Sequence, residues 1–138
     1  MFIATVAGDG CLVGFATQCS IDPARFLVCL SNKNKTYRLA TDATHMALHA
    51  VPEDRGDLAE LFGGETADEV DKLGQVESKA GPGGAPLIAG CPYVAGPILD
   101  RFDVGDHVAF VLEIEAEEGS ATPLTLARSR AIDPGHEA

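Results

Sequence analysis

Short stretches of alternating apolar and polar residues recur along the chain, and this period of two is typical of β-strands. In the longest, His107–Ala116, every second residue from Val108 to Ile114 is apolar, and the other face becomes charged toward Glu115. The run Phe26–Leu30 is continuously apolar, so we expect a strand buried on both faces. The other predicted strands are Phe2–Ala7, Cys11–Phe15, His45–Val51, Leu87–Gly90, Tyr93–Leu99 (interrupted by Gly96-Pro97) and Thr122–Arg130.

Glycine, proline and capping residues mark the ends of these strands and predict short helices between some of them. Turns are predicted at Gly8–Gly10 and Ile21–Pro23, and a Gly- and Pro-rich loop at Ala80–Pro86. The predicted helices are Asn34–Thr41, with Ser31 and Asn32 as capping residues, Glu53–Phe62, stopped by Gly63-Gly64, and Thr66–Leu73, opened by a capping box.

Many short strands with a helical insert and no βαβ repeat favour an antiparallel barrel. The 138 residues suit one domain, which we place over residues 1–132, with a disordered tail at 133–138. No apolar run approaches the length of a membrane span and no signal peptide is evident, so we expect a cytoplasmic protein without a membrane partner.

Charge is distributed unevenly along the chain. The formal net charge is −11, yet no Asp or Glu occurs between Pro23 and Thr41, while Arg25, Lys33, Lys35 and Arg38 all do. A local basic segment on an acidic chain points to a small anionic ligand and away from nucleic acid. On charge alone, a solvated turn explains the segment equally well.

The end of the strand Phe26–Leu30 adds hydrogen-bond donors to this charge. A strand that leads through capping residues into a helix leaves backbone N–H groups pointing outward, which is a natural seat for phosphate. Lys33 and Lys35 lie in this segment. The sequence therefore predicts an anion site between Ser31 and Thr36.

Cysteine and histidine add little further chemistry. Cys11 and Cys29 lie in apolar runs and are expected in the core, whereas Cys19 is expected to line a pocket. His45 and His49 share one strand face, but a third ligand is not near them in sequence, so no metal site is predicted.

The order of motifs resembles the flavin reductase-like family, whose FMN-binding domain is a split β-barrel with antiparallel, Greek-key-like strands. The resemblance spans roughly Phe2 to Ala116, and order and spacing carry it more than any single motif. The matching segments are Asp9-Gly10, Gly14–Thr17, Cys19-Ser20, Asp22-Pro23, Phe26–Leu30, Ser31–Thr36, Leu58–Phe62, Gly84–Leu87 and Gly105–His107.

This resemblance implies a homodimer that binds FMN near the subunit interface, with FAD or the deazaflavin F420 less expected. It implies that one segment follows the isoalloxazine ring and ribityl chain and a second holds the phosphate. His107 is the candidate catalytic residue, beside the nicotinamide. The first segment is Ala16, Thr17, Gln18, Cys19 and Ser20, and the second is Ser31, Asn32, Lys33, Asn34, Lys35 and Thr36.

The implied activity is hydride transfer from NAD(P)H to bound flavin and on to oxygen, a small acceptor or a partner monooxygenase. Gln18-Cys19-Ser20 replaces the family's usual pair of serines after the threonine, and little sequence precedes the first strand. These departures keep a second reading open, in which the barrel is a non-enzymatic carrier of flavin, deazaflavin or tetrapyrrole.

Overall fold

The computed structural model describes residues 1–64 and 71–119, which form a curled antiparallel sheet, a small second sheet and two short α-helices. This confirms the predicted mainly β fold. The strands are β1 Phe2–Val6, β2 Asp9–Val13, β3 Ala16–Ser20, β4 Arg25–Ser31, β5 His45–Ala50, β6 Ser78–Ala80, β7 Pro86–Ile88, β8 Tyr93–Asp103, β9 His107–Glu113 and β10 Ala116–Glu118.

The large sheet runs in the order β2-β1-β5-β8-β9-β4-β3, and β10 pairs with β8. The long strand β8 joins its two halves. Tyr93–Pro97 pairs with β5, and Ile98–Asp103 pairs with β9. The predicted interruption at Gly96-Pro97 is therefore wrong, because β8 continues through it and changes partners there. At the far edge, β3 pairs with β4 and has no second partner strand among residues 1–64 and 71–119.

The main core lies on the concave face, where Phe26, Val28 and Leu30 of β4 pack with Val108, Phe110 and Leu112 of β9. The intervening β4 residues Leu27 and Cys29 are only half-buried. The prediction that this strand is buried on both faces is wrong, because its second face has no covering layer among the described residues. Cys11 lies in the core as predicted, and burial raises the pKa of its thiol to about 11.

Helix α1 spans Lys35–Ala40 and helix α2 spans Gly56–Gly64. Arg101 of β8 donates to the carbonyl groups of Ala40 and Ala43, which fixes the C-terminal end of α1 against the sheet. In α2, Leu58 and Phe62 pack against Ile3 in a second apolar cluster. Helix α2 begins three residues later than predicted, and Gly63-Gly64 are its last two residues.

Two predicted loops take different forms. The first hairpin turns at Ala7-Gly8, with Val6 opposite Asp9, because Gly8 adopts the positive φ of 103° that the turn requires. The stretch predicted as a loop at Ala80–Pro86 connects β6 to β7 through a short 3₁₀ turn. Most of the predicted helix Thr66–Leu73, all of the predicted strand Thr122–Arg130 and the predicted tail lie outside the described residues.

Candidate functional site

The first predicted site segment is an edge strand, β3, where the sequence suggested an irregular polar corner. Its exposure alternates, with Thr17 and Cys19 exposed and Ala16, Gln18 and Ser20 half-buried. The Gln18 side-chain amide donates to the Ser20 carbonyl oxygen at 3.0 Å. Its Oε1 atom is buried and, in the part of the chain that the structure describes, is the only such side-chain atom without a hydrogen-bond partner. A buried acceptor without a donor is costly, so this atom is a weak point of the edge strand.

The second predicted segment forms a tight turn after β4 whose backbone donors are mostly engaged within the protein. Asn32 N donates to the Asp106 carbonyl, Lys33 N to the Ser31 hydroxyl oxygen, and Asn34 N to the Ser31 carbonyl. The expectation of several outward-pointing N–H groups here is therefore wrong. An anion at this turn depends on side chains, chiefly the exposed Asn32 and Lys33.

Asn34 caps helix α1, and its side-chain oxygen accepts from Tyr37 N at 2.9 Å. Ser31 and Asn32, expected as caps, lie too far before the helix. Thr36 is buried, and its hydroxyl donates to Asp9 at 2.6 Å, so that hydroxyl is not available to a ligand. Lys35 is half-buried at the first helical position.

His107 begins β9 directly opposite Ser31 of β4. Its Nδ1 lies 2.7 Å from Asp106 Oδ1, and its ring packs edge-on against Phe15 with centroids 5.1 Å apart. The hydrogen bond to His107 holds the pKa of the Asp106 carboxyl below its usual value, and the charge of Lys33 acts in the same direction. Asp106 and Phe15 are two neighbours of the site that sequence reasoning did not single out.

The start of β3, the turn after β4 and His107 occupy neighbouring positions of the sheet, and the rest of β3 runs away from that turn. Ala16 pairs with Val28 of β4, and Ser31 lies three residues further along that strand, about 10 Å away. His107 stands across from Ser31. This region, defined by β3, the turn Ser31–Asn34 and His107, is called the β4-end site below.

The charge of the β4-end site is more mixed than the sequence window suggests. No carboxylate occurs near Lys33 in sequence, but the fold places Asp106 beside it. The signal for Asp106 was present in the Gly105-Asp106-His107 motif. Phe15, which is 63% exposed, is detectable only as an aromatic residue next to a turn glycine.

Other chemistry lies away from this region. One cavity of about 460 Å³ is lined by β6, β7 and the start of β8, and another of about 430 Å³ lies beside α2; neither includes a predicted site residue. Within residues 1–64 and 71–119, no group of three or more His, Cys, Asp or Glu side chains is placed to hold a metal ion. None of the described helices is long and apolar enough to cross a bilayer.

Comparison with known proteins establishes the family. The model of the flavin reductase like domain matches residues 1–132. The chain belongs to the flavin reductase-like family. Among curated relatives of this family member, a probable flavin reductase of Rhizobium meliloti is 27% identical over 105 residues, which is 75% of this chain and 33% of that protein. The reductase component of a flavin-dependent trigonelline monooxygenase of Acinetobacter baylyi is 26% identical and covers 82% of this chain and 37% of that protein.

A solved FMN-binding protein of Thermus thermophilus is similar in fold to this flavin reductase-like chain, with a TM-score of 0.80 and 27% identity over 86% of this chain and 70% of that one. The match confirms the split-barrel fold and, with the family assignment, supports flavin binding. The chain spans about a third of the length of the two curated relatives.

Proposed function

We propose that the chain is an FMN-dependent oxidoreductase that takes hydride from NAD(P)H and passes electrons to oxygen, a small acceptor or a partner monooxygenase. One observation carries this proposal. In a member of the flavin reductase-like family, Ser31 pairs with His107, and Ala16 pairs with Val28 three residues before Ser31, which supports a shared site for the two segments and His107.

The donors and acceptors of the β4-end site fit a flavin. The flavin ring carries both N–H and carbonyl groups, and the ribityl chain carries hydroxyl groups. The outer edge of β3, which has no partner strand among the described residues, would offer backbone groups to such donors and acceptors. Exposed Thr17 adds a hydroxyl that donates to the neighbouring Gln18 carbonyl at 3.2 Å.

Lys33 and Lys35 would neutralise the phosphate of FMN, with Asn32 and the Ser31 hydroxyl as further donors. The similarity to the FMN-binding protein of Thermus thermophilus supports FMN as a ligand of this chain. Thr36 would take part only through its backbone, because its hydroxyl is held by Asp9.

When bound, the flavin supplies the redox chemistry, accepting hydride from the reduced nicotinamide and releasing electrons to the acceptor. The protein's part is to bind and orient the two coenzymes. His107 lies at the turn beside the phosphate segment, where its ring is in position to contact the nicotinamide nucleotide. The exposed Phe15 next to it offers an apolar surface that would limit water at the site.

The proposed functional unit is a homodimer, formed through the convex face of the sheet. A row of apolar residues crosses this face, because Phe102 pairs with Ala109, Ala109 with Cys29, and Cys29 N donates to the Phe15 carbonyl. Phe102 and Phe15 are 46% and 63% exposed at its two ends. This apolar row lies against the β4-end site, as expected if a second copy covers both. We also expect the dimer to be cytoplasmic.

The test is flavin binding followed by reduction. Purified protein is titrated with FMN, FAD and riboflavin, and the complex is then mixed with NADH or NADPH without oxygen while the visible flavin absorbance is recorded. We expect FMN to bind most tightly and to bleach with one of the nucleotides. Bleaching only with dithionite would identify a flavin carrier instead, and absence of flavin binding would overturn the proposal.

A further inference from the structure

Asp106 connects the two parts of the β4-end site. Its backbone carbonyl accepts from Asn32 N at 3.0 Å, and its carboxylate lies 2.7 Å from His107 Nδ1. The positive charge of Lys33 attracts the same carboxylate and helps to lower its pKa. Asp106 therefore contacts both the proposed phosphate segment and the proposed nicotinamide-facing histidine.

The contacts of His107 leave its ring little freedom. Phe15 covers it edge-on with an interplanar angle of 63°, and its side chain is only 27% exposed, whereas that of Asp106 is 88% exposed. A carboxylate accepts hydrogen bonds and does not donate them, so the ring nitrogen that faces it carries the proton. In the neutral ring the other nitrogen, Nε2, is then an acceptor.

We propose that Asp106 is a positioning residue that holds His107 in the tautomer protonated at Nδ1, so that Nε2 accepts from the carboxamide N–H of a nicotinamide nucleotide. This inference rests on the proposed function. Within the described residues, the charged groups at the ring are Asp106 on its own turn and Lys33 on the turn after β4. Asp106 contacts Nδ1 directly and Lys33 acts on the Asp106 carboxylate, so the tautomer is expected to depend on this carboxylate.

The first test is spectroscopic and needs no coenzyme. ¹⁵N NMR of the histidine side chains in the full chain, above the range in which free imidazole titrates, reports which nitrogen carries the proton. Asp106→Ala should move His107 largely to the Nε2-protonated form, and Asp106→Asn, which keeps a side-chain oxygen acceptor, should restore part of the Nδ1 form. Asp103→Ala removes an exposed carboxylate from the same hairpin and should leave the tautomer unchanged.

The second test is kinetic and uses the flavin-loaded protein. A misoriented hydrogen-bonding group costs about tenfold to hundredfold in rate, so kcat of Asp106→Ala should fall by that factor. FMN should bind at least as tightly as to the wild type, because Asp106→Ala removes a negative charge beside Lys33 and keeps the backbone carbonyl that accepts from Asn32 N. Asp106→Asn should recover part of kcat.

The outcomes separate this inference from the proposed function. An unchanged His107 tautomer in Asp106→Ala, or a changed tautomer with unchanged kcat, overturns the positioning role while the reductase activity stands. A wild-type protein that binds flavin but does not oxidise NAD(P)H overturns the proposed function, and with it the purpose assigned to Asp106.

Discussion

Lys33 and Lys35 are the residues on which the phosphate assignment depends. Because the turn's own N–H groups are mostly engaged, these side chains carry most of the anion binding. We predict that the double variant Lys33→Ala, Lys35→Ala binds FMN about tenfold or more weakly than the wild type. The reason is that charge-assisted hydrogen bonds to the phosphate are lost. The affinity for riboflavin, which lacks the phosphate, should fall much less. Fluorescence titration with both ligands measures the difference.

Lys79→Ala is the matched control for the lysine pair, because Lys79 is an exposed lysine on β6, in the small separate sheet. The Lys79→Ala variant should bind FMN with the same affinity as the wild type. Equal losses for FMN and riboflavin in the double variant would contradict a phosphate site at this turn.

His49 is a second residue whose chemistry the fold determines, and its role is structural. Its Nδ1 donates to the Ile3 carbonyl at 3.0 Å, and its Nε2 accepts from Ile88 N at 3.1 Å, so the ring joins β1, β5 and β7 in its neutral form. Burial lowers the pKa of His49 from 6.5 to about 4. This replaces the metal-ligand role that its shared strand face with His45 had suggested as an alternative.

The lowered pKa predicts a stability that depends on pH. The folded protein holds the His49 ring in its neutral form. The ring therefore stabilises the fold fully above pH 6.5, and this stabilisation is lost as the pH falls toward about 4. The shift corresponds to about 3 kcal/mol. We predict that the wild type is more stable than His49→Gln at pH 6.5. This difference in unfolding free energy, measured by urea denaturation, should shrink by about 3 kcal/mol as the pH is lowered to about 4.

Val6→Ala provides the control for His49, because it removes buried apolar volume without a titratable group. The difference in unfolding free energy between Val6→Ala and the wild type should stay constant with pH. A constant gap for His49→Gln as well would show that the ring is not held neutral in the folded protein.

At the scale of elements, the sequence predicts strands with a regular apolar face well, and it fails where an element is defined by pairing. β5 and β9 begin at the residues that their patterns predict. β3 consists of small and polar residues, and only its pairing with β4 makes it a strand. An edge strand needs no buried second face, so its sequence resembles that of a loop.

The site follows the same rule. The start of the first predicted segment, the second segment and His107 lie at neighbouring sheet positions, but the sequence does not reveal which donors the fold already uses. Thr36 looks like a phosphate ligand beside Lys35, yet the hairpin places Asp9 against its hydroxyl. Asp106 lies far from Lys33 in sequence and reaches it only through the pairing of β4 with β9.

Gly96 allows β8 to pass between the two halves of the sheet. A Cβ atom at this position would lie 1.7 Å from the Glu113 carbonyl oxygen, a backbone atom that cannot move aside independently. We predict that Gly96→Ala lowers the free energy of unfolding by about 3 kcal/mol or more, measured by urea denaturation. At Gly14, a Cβ would have no neighbour within 4 Å, so Gly14→Ala should change stability by less than about 1 kcal/mol. Similar effects of both substitutions would contradict a close strand crossing at Gly96.

At the scale of the whole molecule, the two faces of the sheet half formed by β8, β9, β4 and β3 differ. The concave face is filled by the main core, whereas the apolar row from Phe15 to Phe102 on the convex face has exposed ends. Ala109 in the middle of the row is already buried, so the exposed Phe15 and Phe102 are the parts of it that association would cover. A second copy of the chain would cover the row and the adjacent β4-end site together, which links assembly to coenzyme binding.

We therefore predict that the wild type sediments as a dimer and that Phe102→Glu sediments as a monomer, because an unpaired charge in an apolar interface costs several kcal/mol. The monomer should also bind FMN more weakly, since one wall of its site would be missing. Ser78→Glu adds the same charge on the exposed strand β6 and should remain dimeric with unchanged FMN affinity. A monomeric wild type at all concentrations would rule out the dimer. A dimer that survives Phe102→Glu would place the interface on another face, and the coupling between assembly and coenzyme binding would then lose its structural basis.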